Sequence, residues 1–131
     1  MAVTAEAGDA TGMTNLGSMY EKGYGVGRDY QQASGWYQKA ADAGDPDGMA
    51  SLGQMYMHGG VQGGSQQGFA WCEKSANAGN DRGMACLGYA YRWGAGVKAD
   101  RKQAVTWYRK AAQLGNKVAE LSLGQLDHEQ P

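Results

Sequence analysis

The chain contains very little of several residue types, and each shortage argues against a class of protein. It has only two prolines, two cysteines and one phenylalanine in 131 residues. Two cysteines are too few for the disulfide framework that holds many small secreted domains together. No run of about 18 apolar residues occurs, so we expect no direct membrane insertion. The first residues carry neither the basic region nor the apolar core of a signal peptide.

Charge of one sign is also missing. Lysine and arginine number 12 and aspartate and glutamate 13, which gives a formal net charge of −1. Such a balance provides no general attraction to nucleic acid or to anionic lipid, and we expect no nucleic-acid partner. Hydrophobic residues make up 42% of the chain, which argues against disorder. The composition does not decide between the cytoplasm and an extracytoplasmic compartment such as a periplasm, so the compartment stays open.

What the chain does contain is a repeat, marked by many of its 22 glycines. The leucine of a Leu-Gly-x-x-Tyr segment returns after 36, 35 and then 36 residues. A period in this range is typical of stacked repeat arrays. The residues of this signature are Leu16, Gly17 and Tyr20, then Leu52, Gly53 and Tyr56, then Leu87, Gly88 and Tyr91, and in part Leu123 and Gly124.

Each repeat predicts two antiparallel helices joined by a glycine loop. In the first copy, Asp9 is a helix-capping residue, and Leu16 and Tyr20 lie on one helical face. The glycine-rich stretch 23–27 ends that helix, and Asp29 caps the next. A tryptophan recurs in the second helix as Trp36, Trp71 and Trp107, and we expect all three in the core.

The expected fold is therefore all-α, an α/α superhelical solenoid of about three and a half repeats and seven helices. The expected organisation is a single repeat domain over 1–131. It comprises repeats over 9–44, 45–79 and 80–115 and a C-terminal half-repeat or cap over 116–131. The second copy departs from the others, because Gly68 replaces an alanine and Cys72 replaces a tyrosine.

The combined pattern resembles the Sel1-like repeat family, a relative of the tetratricopeptide repeats. Its marks here are Leu-Gly-x-x-Tyr, Gly-x-Gly-Val, an aspartate, Ala-x-x-Trp-Tyr-x-Lys-Ala-Ala and a final glycine, over about residues 3–126. The resemblance implies a right-handed superhelix that binds other proteins as an adaptor or scaffold, often in bacterial envelope or secretion contexts.

The resemblance also implies where a partner binds, because the first helices of such arrays line the concave face. Positions that flank the leucine–glycine core vary between copies, as a specialised surface would. The candidate partner-binding residues are Ser18, Glu21, Lys22, Gln54, Met57, His58, Tyr89, Arg92 and Trp93, with Thr14, Ala50 and Ala85 beside them.

The third repeat supplies the strongest candidates, which are Tyr89, Arg92 and Trp93. Trp93 takes a slot that holds Lys22 and His58 in the other copies, so the fold does not require an aromatic residue there. Tyrosine, arginine and tryptophan dominate interface hot spots. We expect Arg92 to pair with an acidic or carbonyl group of the partner and Tyr89 and Trp93 to supply apolar anchors. The alternative is that both rings cover the edge of the next repeat.

The function we expect is a non-enzymatic interaction module that holds a peptide or partner domain in its concave groove. His58 and His128 lack metal-ligand companions, and we expect no metal and no cofactor. A bacterial immunity protein that blocks a toxin or effector is the alternative. A cell-wall or β-lactam hydrolase is less favoured, because the relatives credited with that activity carry cysteine pairs in each repeat.

Two further expectations concern the cysteines and the last helix. Cys72 and Cys86 lie on adjacent expected helices and could face each other, but we favour two unrelated thiols. Leu121, Leu123 and Leu126 would leave apolar surface open on the terminal helix, which favours a capping segment or self-association there. At the other end, residues 5–8 resemble the tail of a second helix.

Overall fold

The computed structural model describes residues 9–59 and 64–129, and this part of the chain folds into seven α-helices. It confirms the expected all-α repeat superhelix. The expected helix tail at residues 5–8 lies outside the described residues. The helices are α1 (Ala10–Lys22), α2 (Tyr30–Asp42), α3 (Pro46–Met57), α4 (Gly64–Asn77), α5 (Asp81–Trp93), α6 (Arg101–Gln113) and α7 (Lys117–Glu129).

Short polar side chains start most of these helices, because each satisfies a backbone N–H that has no partner within the helix. The Asp9 carboxylate accepts from Gly12 N at 3.1 Å, and Asp29 accepts from Gln32 N at the same distance. Asp45, Asn80, Asp100 and Asn116 cap α3, α5, α6 and α7 in the same way. Local sequence therefore sets where the helices begin.

Helices of odd number form the inner layer of the array. Each odd-numbered helix packs against the even-numbered helices before and after it and also against the next odd-numbered helix. The described parts of α2, α4 and α6 do not approach one another in that way. Because α1, α3, α5 and α7 lie closer together, the array curves toward them and they line its concave side.

A glycine at the middle of α1, α3 and α5 lets the following helix approach closely. A Cβ atom added at Gly17 would lie 2.6 Å from a ring carbon of Tyr37, and one at Gly88 would lie 2.6 Å from Tyr108. In the second copy, Gly53 faces Cys72 instead. The recurring glycine therefore has a packing reason, which outweighs its low helix propensity.

The recurring tryptophans, which we expected in the core, lie at its edge, where Trp71 and Trp107 pack against buried clusters. Trp36, Trp71 and Trp107 are half-buried, and the next residue along the chain takes the buried position. A lysine ammonium lies over each ring, at 4.6 Å for Lys39, 4.9 Å for Lys74 and 4.4 Å for Lys110. A charged group needs access to water, so the rings stay at the edge of the outer layer.

The preference for unrelated thiols is also wrong, because Cys72 and Cys86 form a disulfide. Their Cα atoms are 5.9 Å apart, which is within the usual range for a disulfide. Cys72 takes the slot of Tyr37 and Tyr108, whose side chains lie between two successive inner helices. The spacing of the two cysteines in the sequence could not show that their side chains, on the neighbouring helices α4 and α5, face each other.

The apolar residues of α7 divide between two sides. Leu126 is buried, with 1% of its surface exposed, and its carbonyl oxygen accepts a hydrogen bond from Arg101. Leu121 is 70% exposed and Val118 64% exposed. The expected open apolar surface therefore consists of the Leu121 side of the helix, while the Leu126 side closes the core.

Candidate partner-binding surface

Three adjacent clefts lie along the concave side. The first has a volume of about 390 Å³ and lies between α1, α3 and the start of α5. Nearly all of its lining side chains are polar or charged. They are Thr11, Thr14, Asn15, Ser18, Glu21, Lys22, Tyr37, Asp45, Asp47, Ser51, Gln54 and Arg82.

The other two clefts are less polar. The second, of about 370 Å³, is lined by Glu21, Tyr30, Gln54, Met55, His58 and Gly59. The third is smaller, about 150 Å³, and lies between α3, α5 and α7. Its lining residues are Gln54, Met57, His58, Ala85, Cys86, Tyr89, Tyr108, Val118 and Ser122.

Gln54 is the residue that these three clefts share. Its side chain is half-buried, and no group in residues 9–59 or 64–129 forms a hydrogen bond with its carboxamide. A glutamine side chain offers two N–H donors and one acceptor oxygen. The pattern matches what a peptide backbone offers in return, namely a carbonyl oxygen and an N–H.

Three of the expected binding residues, Glu21, Met57 and Arg92, instead contact other residues of this chain. The Tyr37 hydroxyl donates to Oε1 of Glu21 at 2.6 Å. Met57 Sδ lies 3.8 Å from Sγ of Cys86. Arg92 donates to Oε1 of Gln125 at 3.1 Å and lies 4.7 Å above the Trp93 ring.

The surroundings of the two buried tyrosines, Tyr37 and Tyr108, raise the pKa of both phenols. Burial raises the pKa of Tyr37, and the hydrogen bond to Glu21 raises it further, while Ser18 and Ser51 act in the opposite direction. Burial also raises the pKa of Tyr108, opposed by Ser122 and by Arg92. Both phenols therefore stay protonated well above neutral pH, and the single proton of Tyr37 is already donated to Glu21.

The remaining candidates lie at the surface, in different places. Ser18 and Lys22 line the first cleft with Gln54, and His58 and Tyr89 meet in the third, with their ring centroids 5.0 Å apart. Trp93 is 60% exposed and lines none of the clefts described above. The structure therefore separates Tyr89 from Trp93, which the sequence grouped together.

The sequence did not predict a set of polar contacts near the first residues of α3 and α5. Thr14 donates to Oδ2 of Asp45 at 2.5 Å, and Asn80 donates to Oδ1 of Asp47 at 2.9 Å. Arg82 reaches both Asp47, at 3.8 Å, and the Ser51 hydroxyl, at 2.7 Å. These contacts form a wall of the first cleft. The recurring capping residues could be recognised in the sequence, but the residues of the neighbouring repeat that they contact could not.

The described residues contain no group of three or more His, Cys, Asp or Glu side chains positioned to hold a metal ion. Within the same part of the chain, no helix combines the length and the apolar composition needed to cross a membrane.

Comparison with protein families places this arrangement among known repeats. The model of the Sel1 repeat matches the chain three times, over residues 10–45, 46–80 and 82–116. No curated protein matches the chain.

Solved structures give the same result. A protective antigen with an SLR fold from uropathogenic Escherichia coli is 39% identical over 91% of this chain and 26% of its own, with a TM-score of 0.79. A Sel1 repeat protein from Oxalobacter formigenes is 36% identical over 90% of this chain and 49% of its own, also with a TM-score of 0.79. Cysteine-rich protein B of Helicobacter pylori is 25% identical over 84% of this chain and 86% of its own, with a TM-score of 0.64. The chain thus spans about a quarter of the first of these proteins and about half of the second.

Proposed function

Because the chain belongs to the Sel1 repeat family, whose proteins are generally interaction scaffolds and typically non-enzymatic, we propose that its concave side binds an extended peptide segment of a partner protein. The observation that carries this proposal is Gln54. A half-buried carboxamide without an internal partner, at the meeting point of three clefts, is placed to pair with a peptide backbone.

The third cleft supports the same proposal by its size. It encloses about 150 Å³ between Met57, Tyr89 and Val118. An apolar cavity of about 150 Å³ holds one benzene-sized group. The cleft therefore suits a single bulky apolar side chain of the peptide, whose backbone would lie over Gln54.

The first cleft suits the polar flank of the segment. Its carboxylates at Asp45 and Asp47 already accept hydrogen bonds from Thr14 and Asn80. The guanidinium group of Arg82 lies 3.8 Å from Asp47 and offsets part of the negative charge. A peptide with one apolar anchor followed by polar residues matches this order of surfaces. Its recognition would use backbone hydrogen bonds for affinity and one pocket for specificity.

Selection from a library of random twelve-residue peptides displayed on phage tests the proposal. We expect the selected peptides to share one bulky apolar residue with polar neighbours. Loss of two backbone hydrogen bonds in Gln54→Ala should weaken binding of a synthesised peptide about tenfold, measured by calorimetry. Val118→Asp, at the rim of the third cleft, should abolish binding of peptides that carry the apolar anchor.

Gln113→Ala serves as the matched control, because Gln113 is exposed at the end of α6 and lines none of these clefts. It should bind as the unaltered chain does. Peptides that bind Gln54→Ala and the unaltered chain equally well would refute the groove assignment. A library that yields no binder would also count against it.

A further inference from the structure

The surfaces of α6 and α7 carry two neighbouring strips of opposite charge, and we propose that they join two copies of the chain in a two-fold symmetric dimer. The first observation concerns α7. The positions of Met84 and Tyr91 in α5 correspond to Glu120 and Asp127 in α7. Met84 and Tyr91 pack beneath α6, whereas Glu120 and Asp127 are exposed.

Gly124 lies between these two carboxylates. Its counterpart Gly88 is covered by Tyr108, but a Cβ added at Gly124 would meet no atom within 4 Å among the described residues. The corresponding glycines are buried in the three preceding inner helices, and Gly124 is exposed. This face of α7 therefore combines an acidic strip, formed by Glu120 and Asp127, with a helix surface that another backbone can approach closely. The exposed ammonium group of Lys117 lies 3.8 Å from Glu120 and offsets part of the charge of that carboxylate.

The neighbouring strip on α6 is basic. The helix Arg101–Gln113 contains four arginine and lysine residues and no acidic residue. Lys102 and Arg109 line one shallow cleft of about 320 Å³ with half-buried Val105. Neither of these two cations forms an ion pair with a carboxylate in the described ranges. Arg101, on the same side, reaches across to the carbonyl oxygen of Leu126 and so marks the edge that α6 shares with α7.

Two adjacent strips of opposite charge are complementary to themselves. A two-fold axis places the same patch of both copies face to face, so that residue i of one copy meets residue j of the other, and the reverse. The acidic strip of each copy then meets the basic strip of its partner, and the ion pairs are formed twice. The apolar centre at Val105 and Gly124 would provide the contact between the strips.

Charge-swapped variants of the full chain test this proposal by analytical ultracentrifugation from micromolar to near-millimolar concentration. The unaltered chain should form a dimer whose dissociation constant rises with salt. Reversing the acidic strip by Glu120→Lys with Asp127→Lys, or the basic strip by Lys102→Glu with Arg109→Glu, should raise that constant about tenfold or more. All four side chains are exposed, so circular dichroism should show unchanged helix content.

An equimolar mixture of the two variants provides the decisive arm. One variant presents two basic strips and the other two acidic strips, so the mixture should form heterodimers more tightly than either variant forms homodimers. A chain that stays monomeric at the highest concentration would overturn the proposal. So would self-association that both reversals leave unchanged, because another surface would then be responsible.

Discussion

The second repeat differs from the first and the third at the joint to the next repeat. In the first repeat, Tyr37 interacts with Ser51 of the following inner helix, and in the third, Tyr108 interacts with Ser122. In the second, the residues in these same two slots are Cys72 and Cys86, and they form a covalent bond. The same pair of positions therefore holds a tyrosine and a serine at two joints and a disulfide at the other.

One position of the inner helix changes together with the residue at the joint, and it holds Glu21 in α1, Met57 in α3 and Arg92 in α5. Glu21 accepts the hydrogen bond of Tyr37, and Arg92 acts on Tyr108, whereas Met57 places its sulfur beside the disulfide. A polar residue thus accompanies each phenol, and a soft apolar residue accompanies the sulfurs. The comparison teaches that this row of concave positions varies for structural reasons, and variation alone is not evidence of a binding role.

The second repeat also has smaller side chains between its two helices. A cysteine is much smaller than a tyrosine, and the second repeat also has Gly68 where the others have Ala33 and Ala104. A Cβ added at Gly68 would lie 2.6 Å from the carbonyl oxygen of Gly53. The helix α4 therefore lies so close to α3 that a side chain at Gly68 would not fit.

Replacing the buried tyrosine of the third repeat should lower the free energy of unfolding by the largest amount. Tyr108 is 2% exposed, and Tyr108→Ala should cost about 3–5 kcal/mol of the free energy of unfolding because it opens a large cavity under α5. Urea denaturation followed by circular dichroism measures the change. Tyr24→Ala, at a position 64% exposed, should change stability by less than about 0.5 kcal/mol. Equal effects of the two substitutions would contradict the structural role of Tyr108.

Breaking the disulfide should have the next largest effect. The bond closes a loop between residues 14 apart in sequence, and a loop of about 15 residues corresponds to about 3 kcal/mol in the chain-entropy model. The double variant Cys72→Ala with Cys86→Ala should lose about 2–4 kcal/mol in urea denaturation. A reductant should destabilise the unaltered chain by a similar amount and leave the double variant unchanged. If the reductant has no effect on the unaltered chain, the joint does not depend on the covalent bond.

The hydrogen-bonded joint should show a smaller, pH-dependent effect. Tyr37→Phe removes the bond to Glu21 and should cost about 1 kcal/mol at neutral pH. Burial raises the pKa of Tyr37 above its unfolded value, which is about 10. The folded chain then holds this proton more tightly, so the associated stability is present below pH 10 and is lost as the pH rises.

Above about pH 10, the free energy of unfolding of the unaltered chain should fall more steeply than that of Tyr37→Phe, by about 1.4 kcal/mol per pH unit. Tyr24→Phe is the control, because Tyr24 is exposed and should follow the unaltered chain. Parallel curves for Tyr37→Phe and the unaltered chain would show that Tyr37 does not titrate differently in the two states.

Much of the fold could be predicted because its determinants are local. The caps at Asp9, Asp29 and Asp100 act on N–H groups three residues away, and the helices begin where these residues predict. The recurrence of Leu-Gly-x-x-Tyr defines the stripe that each helix buries. Repetition then extends one correct prediction to the whole array.

The candidate site was harder to predict because it depends on distant pairs. The sequence indicated the correct face, and Ser18, Gln54 and Tyr89 do line its clefts. Nothing in a single sequence showed that Arg92 would be held by Gln125 and the Trp93 ring, or that Arg82 would reach Ser51. These contacts cross between repeats, where helix periodicity gives the face of a residue but not its partner.

The sequence by itself determined the seven helices, their caps, the all-α repeat class and the inner position of the glycines, because these follow from short-range hydrogen bonding and from apolar periodicity. Only the tertiary structure decided that Cys72 and Cys86 are bonded, that the tryptophans stay half-buried under lysines, and that Gln54 lies where three clefts meet. The physical reason is common to all three. Each depends on the angle and distance at which one helix pair stacks on the next, and side-chain volumes on several helices set that geometry together.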